Sequence, residues 1–199
     1  MKLDFIHDIQ RAYRKVVDSM SRPGLITNLK DEAAKVDLEA GCFPSTLVLA
    51  AMLLDTEVTF KVVSEKEEET TRWINQLTYA KADAAERADF VFVLYDKAED
   101  ELGQILQRVK TGSLIDPHDS ATIIVEADAV TDECDFKLTG PGIEEANYVN
   151  VSVNGNWMEV RQQQNAEFPM GVDLIFVDKN HHLLCLPRTT QILSEGRKL

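Results

Sequence analysis

Apolar residues between Asp4 and Met20 recur at steps of three and four. Phe5, Ile6, Ile9, Ala12, Tyr13, Val16, Val17 and Met20 therefore share one face of a predicted helix. Ser21-Arg22-Pro23-Gly24 ends it. Proline disfavours the helical conformation in the residue before it, and glycine supplies the positive φ of a type II turn into a strand-like Leu25 to Leu29. Asp31 to Gly41 carries only weak helical character. Cys42-Phe43-Pro44 opens a second helix, with Pro44 in the first turn, where an N–H would be unpaired anyway. Thr46 to Leu54 is apolar on every side, which predicts a helix wrapped by other elements. Val58, Phe60 and Val62 alternate with polar neighbours, as in a half-buried strand. Ser64 and Glu67 have the spacing of a capping box, and the acidic run Glu65 to Glu69 suits the positive end of a helix continuing towards Leu77.

Phe90 to Leu94 is short and continuously apolar, as expected of an interior strand covered on both faces. Helix returns over Asp96 to Lys110, followed by strands at Ala121 to Glu126 and Asp135 to Thr139. Trp157 to Gln164 reads as a polar helix. Val172 to Val177 and His182 to Leu186 form two strands around Asp178-Lys179-Asn180-His181, whose residue types suit a hairpin turn. Helices alternate with strands early and strands cluster late. The pattern predicts an α/β fold, a mixed sheet sandwiched by helices with an antiparallel edge. Against a prior of roughly 150 residues per domain, residues 1–199 are expected to form a single domain.

Charge narrows the function classes. With 34 acidic residues against 21 basic ones the net charge is -13, and no Lys/Arg cluster offers the electrostatic footprint of a nucleic-acid binder, so no nucleic-acid partner is expected. The longest apolar run, Leu47 to Leu54, falls far below the roughly 20 residues that span a bilayer. Asp4, His7 and Asp8 stand where a signal peptide needs an apolar core. No membrane partner is expected, and the expected location is cytoplasmic. Cys42, Cys134 and Cys185 are odd in number and form no C-x-x-C pattern, which argues for three reduced, buried thiols and against a disulfide framework or a zinc site.

Named catalytic signatures are missing: no G-x-x-x-x-G-K-[ST], no G-x-S-x-G and no H-E-x-x-H. Gly140-Pro141-Gly142 begins like a dinucleotide fingerprint, but Glu145 fills the third glycine position. Neither a metal nor a cofactor is expected, and no residue is assigned a catalytic role. His181 and His182 are expected in a turn or at the surface, since adjacent strand residues face opposite ways and cannot chelate together. His118, between Asp116 and Asp119, is either a general base oriented by a carboxylate or part of a polar loop.

Proline and glycine concentrate in four short segments, which hold the candidate binding or interface residues. These are Arg22, Pro23 and Gly24; Gly140, Pro141 and Gly142; Asp173, just past Phe168-Pro169-Met170-Gly171; and Arg188, Thr189 and Thr190, following Pro187. The Gly-Pro-Gly segment is either a rigid connection between strands or a loop aiming N–H groups at an anion or a partner chain. Asp173, two positions inside an apolar strand, is either structurally bonded or functional. Arg188 with two hydroxyls beside it suits phosphate or phosphonate oxygens, with Arg22 as a second fork; the competing reading is an internal ion pair of Arg188 with Asp173.

Across nearly the whole chain these segments fall in an ordered series: Ala12-Tyr13-Arg14, Met20 to Gly24, Thr111-Gly112, Asp116-Pro117, Ser120 to Thr122, Leu138 to Ile143, Phe168 to Ile175 and Leu186 to Thr190. In this the sequence resembles the PhnH family, the H subunits of bacterial carbon-phosphorus lyase. The resemblance implies phosphonate catabolism and a fold similar to the large domain of pyridoxal-phosphate-dependent transferases without the cofactor. It further implies partnership with the G, I and J subunits, with a homodimer when alone. Joint action of the G, H, I and L proteins would attach a phosphonate to the ribose C1 of ATP with loss of adenine, giving ribose 1-phosphonate 5-triphosphate. On this expectation the chain is an accessory subunit whose bends hold partners and help form a phosphonate or ATP site at an interface. The alternatives are a stand-alone transferase with Arg22, Asp173, Arg188, Thr189 and Thr190 converging on a phosphorylated substrate, and a pyridoxal-phosphate enzyme using a lysine Schiff base.

Overall fold

The computed structural model describes residues 2–153 and 155–194. Among them a seven-stranded sheet forms the centre, built from β1 (Thr27–Asn28), β2 (Thr59–Val63), β3 (Lys81–Ala82), β4 (Phe90–Val93), β5 (Thr122–Ala127), β8 (Asp173–Asp178) and β9 (His182–Leu186). A second, three-stranded antiparallel sheet holds β6 (Val130–Thr139) between β7 (Asn147–Val151) and β10 (Gln191–Ser194). The central order is β1-β9-β8-β5-β4-β2-β3, and only the pairings made by β9 are antiparallel. The helices are α1 (His7–Ser21), α2 (Lys30–Ala33), α3 (Pro44–Leu53), α4 (Glu67–Thr78), α5 (Ala98–Arg108) and α6 (Trp157–Gln164).

Strand periodicity separates two cores. On β5 and β8, Ile124, Ile175 and Val177 face the core made with Ala12 and Val16 of α1, Leu47 to Ala50 of α3 and Ile74 of α4. Their neighbours Ile123, Val125, Leu174 and Phe176 face the other core, made with Leu102, Ile105 and Leu106 of α5, Trp157 and Val160 of α6, and the second sheet. Successive side chains of a strand point to opposite faces, so a continuously apolar strand must be covered twice. Trp157 joins the layers, 5.3 Å from the Phe176 ring and edge-on to Phe136 at 6.0 Å. An α/β architecture with a mixed sheet and helices is therefore present, together with the second sheet that patterning alone did not predict.

Local differences have identifiable causes. The apolar stripe of α1 splits in two: Ala12 and Val16 are buried, whereas Phe5, Ile6, Tyr13 and Val17 are exposed. The Ser64 capping box does not form. Helix α4 begins at Glu67 without a side-chain cap, because Ser64 Oγ donates to Asp96 and the Glu65 N–H goes to the same carboxylate. The strand expected at Asp135 starts earlier, at Val130, and a register shift lies between Thr131 and Phe136. Strands β7 and β10 lie outside the predicted elements. Of the three thiols expected to be buried, only Cys185 is; Cys42 is half-buried and Cys134 exposed. No helix among the described residues is long and apolar enough to cross a membrane.

Candidate functional site

The four Pro/Gly segments are contiguous in space. The Arg22-Pro23-Gly24-Leu25 turn closes through the Leu25 N–H to the Arg22 carbonyl at 2.9 Å, with Gly24 at φ +98 in the position that a type II turn reserves for glycine. The Gly140 to Ile143 turn closes in the same way at 3.2 Å, with Gly142 at φ +83. A Cβ on Gly142 would overlap the Ser21 carbonyl oxygen, so these two turns touch backbone to backbone. Asn147, opening β7, ties them by donating to the Pro23 carbonyl at 2.7 Å. A Cβ on Gly140 would lie 2.9 Å from Thr189 O, and one on Gly171 would lie 3.3 Å from the Arg188 Cβ. The third segment ends at Asp173, the first residue of β8. The fourth, Pro187 to Thr190, follows β9 and closes with the Thr190 N–H on the Pro187 carbonyl at 2.9 Å.

Within this cluster Asp173 and Arg188 bond each other. Arg188 Nη2 lies 2.6 Å from Asp173 Oδ2, and the Arg188 backbone N–H donates to Asp173 Oδ1 at 2.7 Å. The same guanidinium donates to the Pro117 carbonyl at 2.8 Å and to Ser120 Oγ. Asp173 is thus the structurally bonded carboxylate at the start of its strand, and the internal ion pair is the geometry found for Arg188. Arg22 is exposed and pairs with Asp18 at 3.1 Å. It lines a shallow hollow of about 400 Å³ with Gly24, Gly142 and Tyr148, whereas Arg188, Thr189 and Thr190 line a different cavity of about 410 Å³. Of the five residues of the stand-alone transferase alternative, Arg22 thus lines a different cavity from Arg188, Thr189 and Thr190.

That second cavity contains a residue absent from the sequence candidates. Arg161 of α6 is 3% exposed and donates Nη1 to the Thr190 carbonyl at 3.1 Å and Nη2 to the Pro187 carbonyl at 2.7 Å. It anchors the last bend, while its Nε and the Thr190 hydroxyl have no hydrogen-bond partner among the described residues. Burial lowers its pKa to about 10, opposed by the Asp173 carboxylate acting through space. Its signal in the sequence was the spacing Trp157, Val160, Arg161, which puts a guanidinium on the buried face of a short and otherwise polar helix.

The opposite end of the sheet, where parallel strands finish and α/β folds usually hold ligands, is acidic and internally bonded. Glu126, 1% exposed on β5, accepts the Phe43 N–H at 2.6 Å, the Thr46 hydroxyl at 2.6 Å and the Tyr95 N–H at 3.0 Å. Desolvation raises its pKa, and these donors offset part of the rise. It borders a cavity of about 290 Å³ with Tyr95, Asp96 and Asp128. Asp178 accepts the N–H groups of Val130, Asn180 and His182, and lies 3.0 Å from His182 Nδ1. His181 occupies the hairpin turn at φ 67, with Nδ1 3.3 Å from Ser45 Oγ; burial lowers its pKa. Burial also raises the Cys42 and Cys185 thiols, the latter to about 12. His118 is exposed in the loop before β5. Among the described residues no group of three His, Cys, Asp or Glu side chains is placed to hold a metal ion.

Comparison with known proteins places the chain. At 30% identity over 189 residues, covering 94% of this chain and 87% of the other, it is similar to HtxG of Stutzerimonas stutzeri, named for a C-P lyase subunit. At 27% identity over 196 residues, 96% of this chain and 94% of the other, it is similar to the alpha-D-ribose 1-methylphosphonate 5-triphosphate synthase subunit PhnH of Rhizobium meliloti. The model of the bacterial phosphonate metabolism protein (PhnH) family matches residues 3–193, which takes in all four bends and both cores, and the chain belongs to that family.

Proposed function

We propose that this chain is an accessory subunit of a carbon-phosphorus lyase assembly in phosphonate catabolism, supporting the formation of ribose 1-phosphonate 5-triphosphate from ATP and an alkylphosphonate. One observation carries the reading: the family match runs from residue 3 to residue 193. The likeness to relatives named as subunits of such a lyase and synthase extends over more than nine-tenths of this chain. The side-chain chemistry agrees with an accessory role. Asp173 and Arg188 hold each other, and Glu126 and Asp178 each accept several hydrogen bonds from the chain itself. Buried polar groups bonded in this way fix loops in place.

On this reading the chain works in the cytoplasm as one domain, since β5 and β8 contribute to both cores. It docks with the G, I and J subunits, pairs as a homodimer when alone, and helps to enclose a phosphonate or ATP at an interface. Its central sheet is read as a cofactor-free relative of the pyridoxal-phosphate transferase large domain. A mixed sheet with helices on both faces and a single antiparallel strand, β9, next to its edge strand supports that kinship.

Affinity capture of the tagged chain from phosphonate-grown cells, followed by identification of the bound chains, is expected to recover the G, I and J subunits in fixed ratio. Incubation of the isolated chain with ATP and methylphosphonate, followed by ³¹P NMR, is expected to show no new product. Turnover by the chain alone would overturn the accessory assignment, and failure to recover the other subunits would overturn the assembly.

A further inference from the structure

The cavity between α6, the Pro187–Thr190 bend and β10 has a character unlike the rest of the molecule. In a chain of net charge -13 it is lined by two guanidinium-bearing residues, Arg161 and Arg188, together with Thr189, Thr190, Gln162 and Gln191, and, among the described residues, by no Asp or Glu. The guanidinium of Arg188 is committed to Asp173, Ser120 and the Pro117 carbonyl. Arg161 is not so committed. Its two bonds are to neutral carbonyls, it makes no ion pair among the described residues, and Nε stays unpaired. Beside it the Thr190 hydroxyl, on a residue 2% exposed, is also unpaired.

A buried cation without a bonded counter-charge is costly, and an unsatisfied buried donor adds to that cost. Both costs fall on adjoining residues of one cavity, and both are relieved by the same ligand, an anion with several acceptor oxygens. A tetrahedral oxyanion suits the donor set better than a planar carboxylate, because it can accept from a guanidinium and two hydroxyls at once. The volume, about 410 Å³, leaves room for an organic group attached to the anion.

We propose that this cavity binds a phosphate or phosphonate group, with Arg161 as the charged anchor and Thr189 and Thr190 as hydroxyl donors. Both unpaired atoms are closed off from solvent, so entry requires the Thr190 hydroxyl to turn towards the cavity and the Arg161 side chain to shift enough to present Nε, while Nη1 and Nη2 keep the Thr190 and Pro187 carbonyls. The site belongs to the isolated chain and does not depend on the assembly reading.

Titration of the full chain with inorganic phosphate and with methylphosphonate at constant ionic strength, by calorimetry and by thermal shift, tests it. Saturable binding and a rise in Tm are expected for both, and neither for acetate or chloride. Thr190→Val, which keeps the shape and removes the hydroxyl, is expected to weaken binding about tenfold. Arg161→Lys is expected to abolish it. Because Arg161 also holds two carbonyls, circular dichroism accompanies that variant, and Thr190→Val decides should it unfold. Arg87→Ala, removing an exposed cation paired with Asp83, serves as the charge control and is expected to bind as the parent does. No saturable binding, equal binding of acetate, or unchanged affinity in Thr190→Val would overturn the site while leaving the subunit assignment standing.

Discussion

Replacing Arg188 by methionine keeps most of the side chain's volume and removes the guanidinium that joins three segments. Asp173 would retain only the backbone N–H at 2.7 Å, and the Pro117 carbonyl and Ser120 hydroxyl would lose their donor. Removing one partner of a fully buried ion pair costs about 3–5 kcal/mol. Both side chains here are 18% exposed, so water recovers part of that, and about 2–4 kcal/mol is expected. With a urea m-value of about 2.5 kcal/mol/M, the midpoint should fall by about 1–1.5 M. Fluorescence of Trp73 and Trp157 and far-UV circular dichroism give two probes whose coincidence checks two-state behaviour. Asp173→Asn keeps an acceptor for the backbone N–H, and the cycle Arg188→Met, Asp173→Asn and the double variant should give a coupling of about 1–3 kcal/mol. A coupling below about 0.5 kcal/mol, within the additivity of independent sites, would refute the view that the pair holds the bends together.

At the C-terminal end of the parallel strands, Glu126→Gln should alter the pH dependence of folding. The folded pKa of Glu126 lies above the ordinary 4.5, so the folded state binds the extra proton between these values. The stability of the parent relative to the Gln variant should therefore be fully present below about pH 4.5 and be lost as pH rises through the raised folded value, at up to about 1.4 kcal/mol per pH unit. Urea titrations in which that difference grew with pH would contradict the assignment. Gly142→Ala adds a left-handed alanine whose Cβ meets the Ser21 carbonyl, and should cost about 3 kcal/mol or displace the Arg22 turn, read by denaturation and by amide shifts near Pro23. Asp178→Ala strands the N–H groups of Val130, Asn180 and His182 and should cost about 3 kcal/mol; a change under about 0.5 kcal/mol would mean that water replaces the carboxylate.

Strands β4, β5, β8 and β9 were legible because a strand covered on both faces has to be almost continuously apolar. Helix α3 was legible for the same reason, with Ser45 to Ala50 buried all round. The second sheet was hidden because β7 mixes buried with exposed positions and β10 has only half-buried and exposed ones, so neither shows sustained alternation. Helix α1 misled in a different way: Ile6, Tyr13 and Val17 have the spacing of a core stripe yet stay exposed, since periodicity records which residues share a face and not what covers it. The bends could be located from proline and glycine, but their mutual contact is a tertiary fact. Arg161 escaped notice because a single arginine in a polar helix looks solvated until the chain returns over it at Pro187.

The two ends of the sheet divide the chemistry in a way that bears on how the chain works with others. At the C-terminal end of the parallel strands, Glu126 and Asp178 accept backbone N–H groups from the surrounding loops, so carboxyl oxygens are used there to pin loop backbone. At the N-terminal end the four bends meet, the Asp173 charge is met by Arg188, and Arg161 is left as the buried cation with bonding capacity to spare. An anion approaching a chain of net charge -13 is repelled over most of its surface. It meets a guanidinium with no bonded counter-charge among the described residues where Arg161 supports the last bend. Occupancy there would stiffen the Pro187–Thr190 segment, and with it the Gly140 turn packed on Thr189 and the Arg22 turn packed on Gly142. Such a connection links a small oxyanion to the set of surfaces on which partner docking would depend. It requires that phosphate slow hydrogen exchange of the Thr190 and Ile143 amides together, each of which closes its own turn. Protection of the Thr190 amide alone would confine the effect to the last bend.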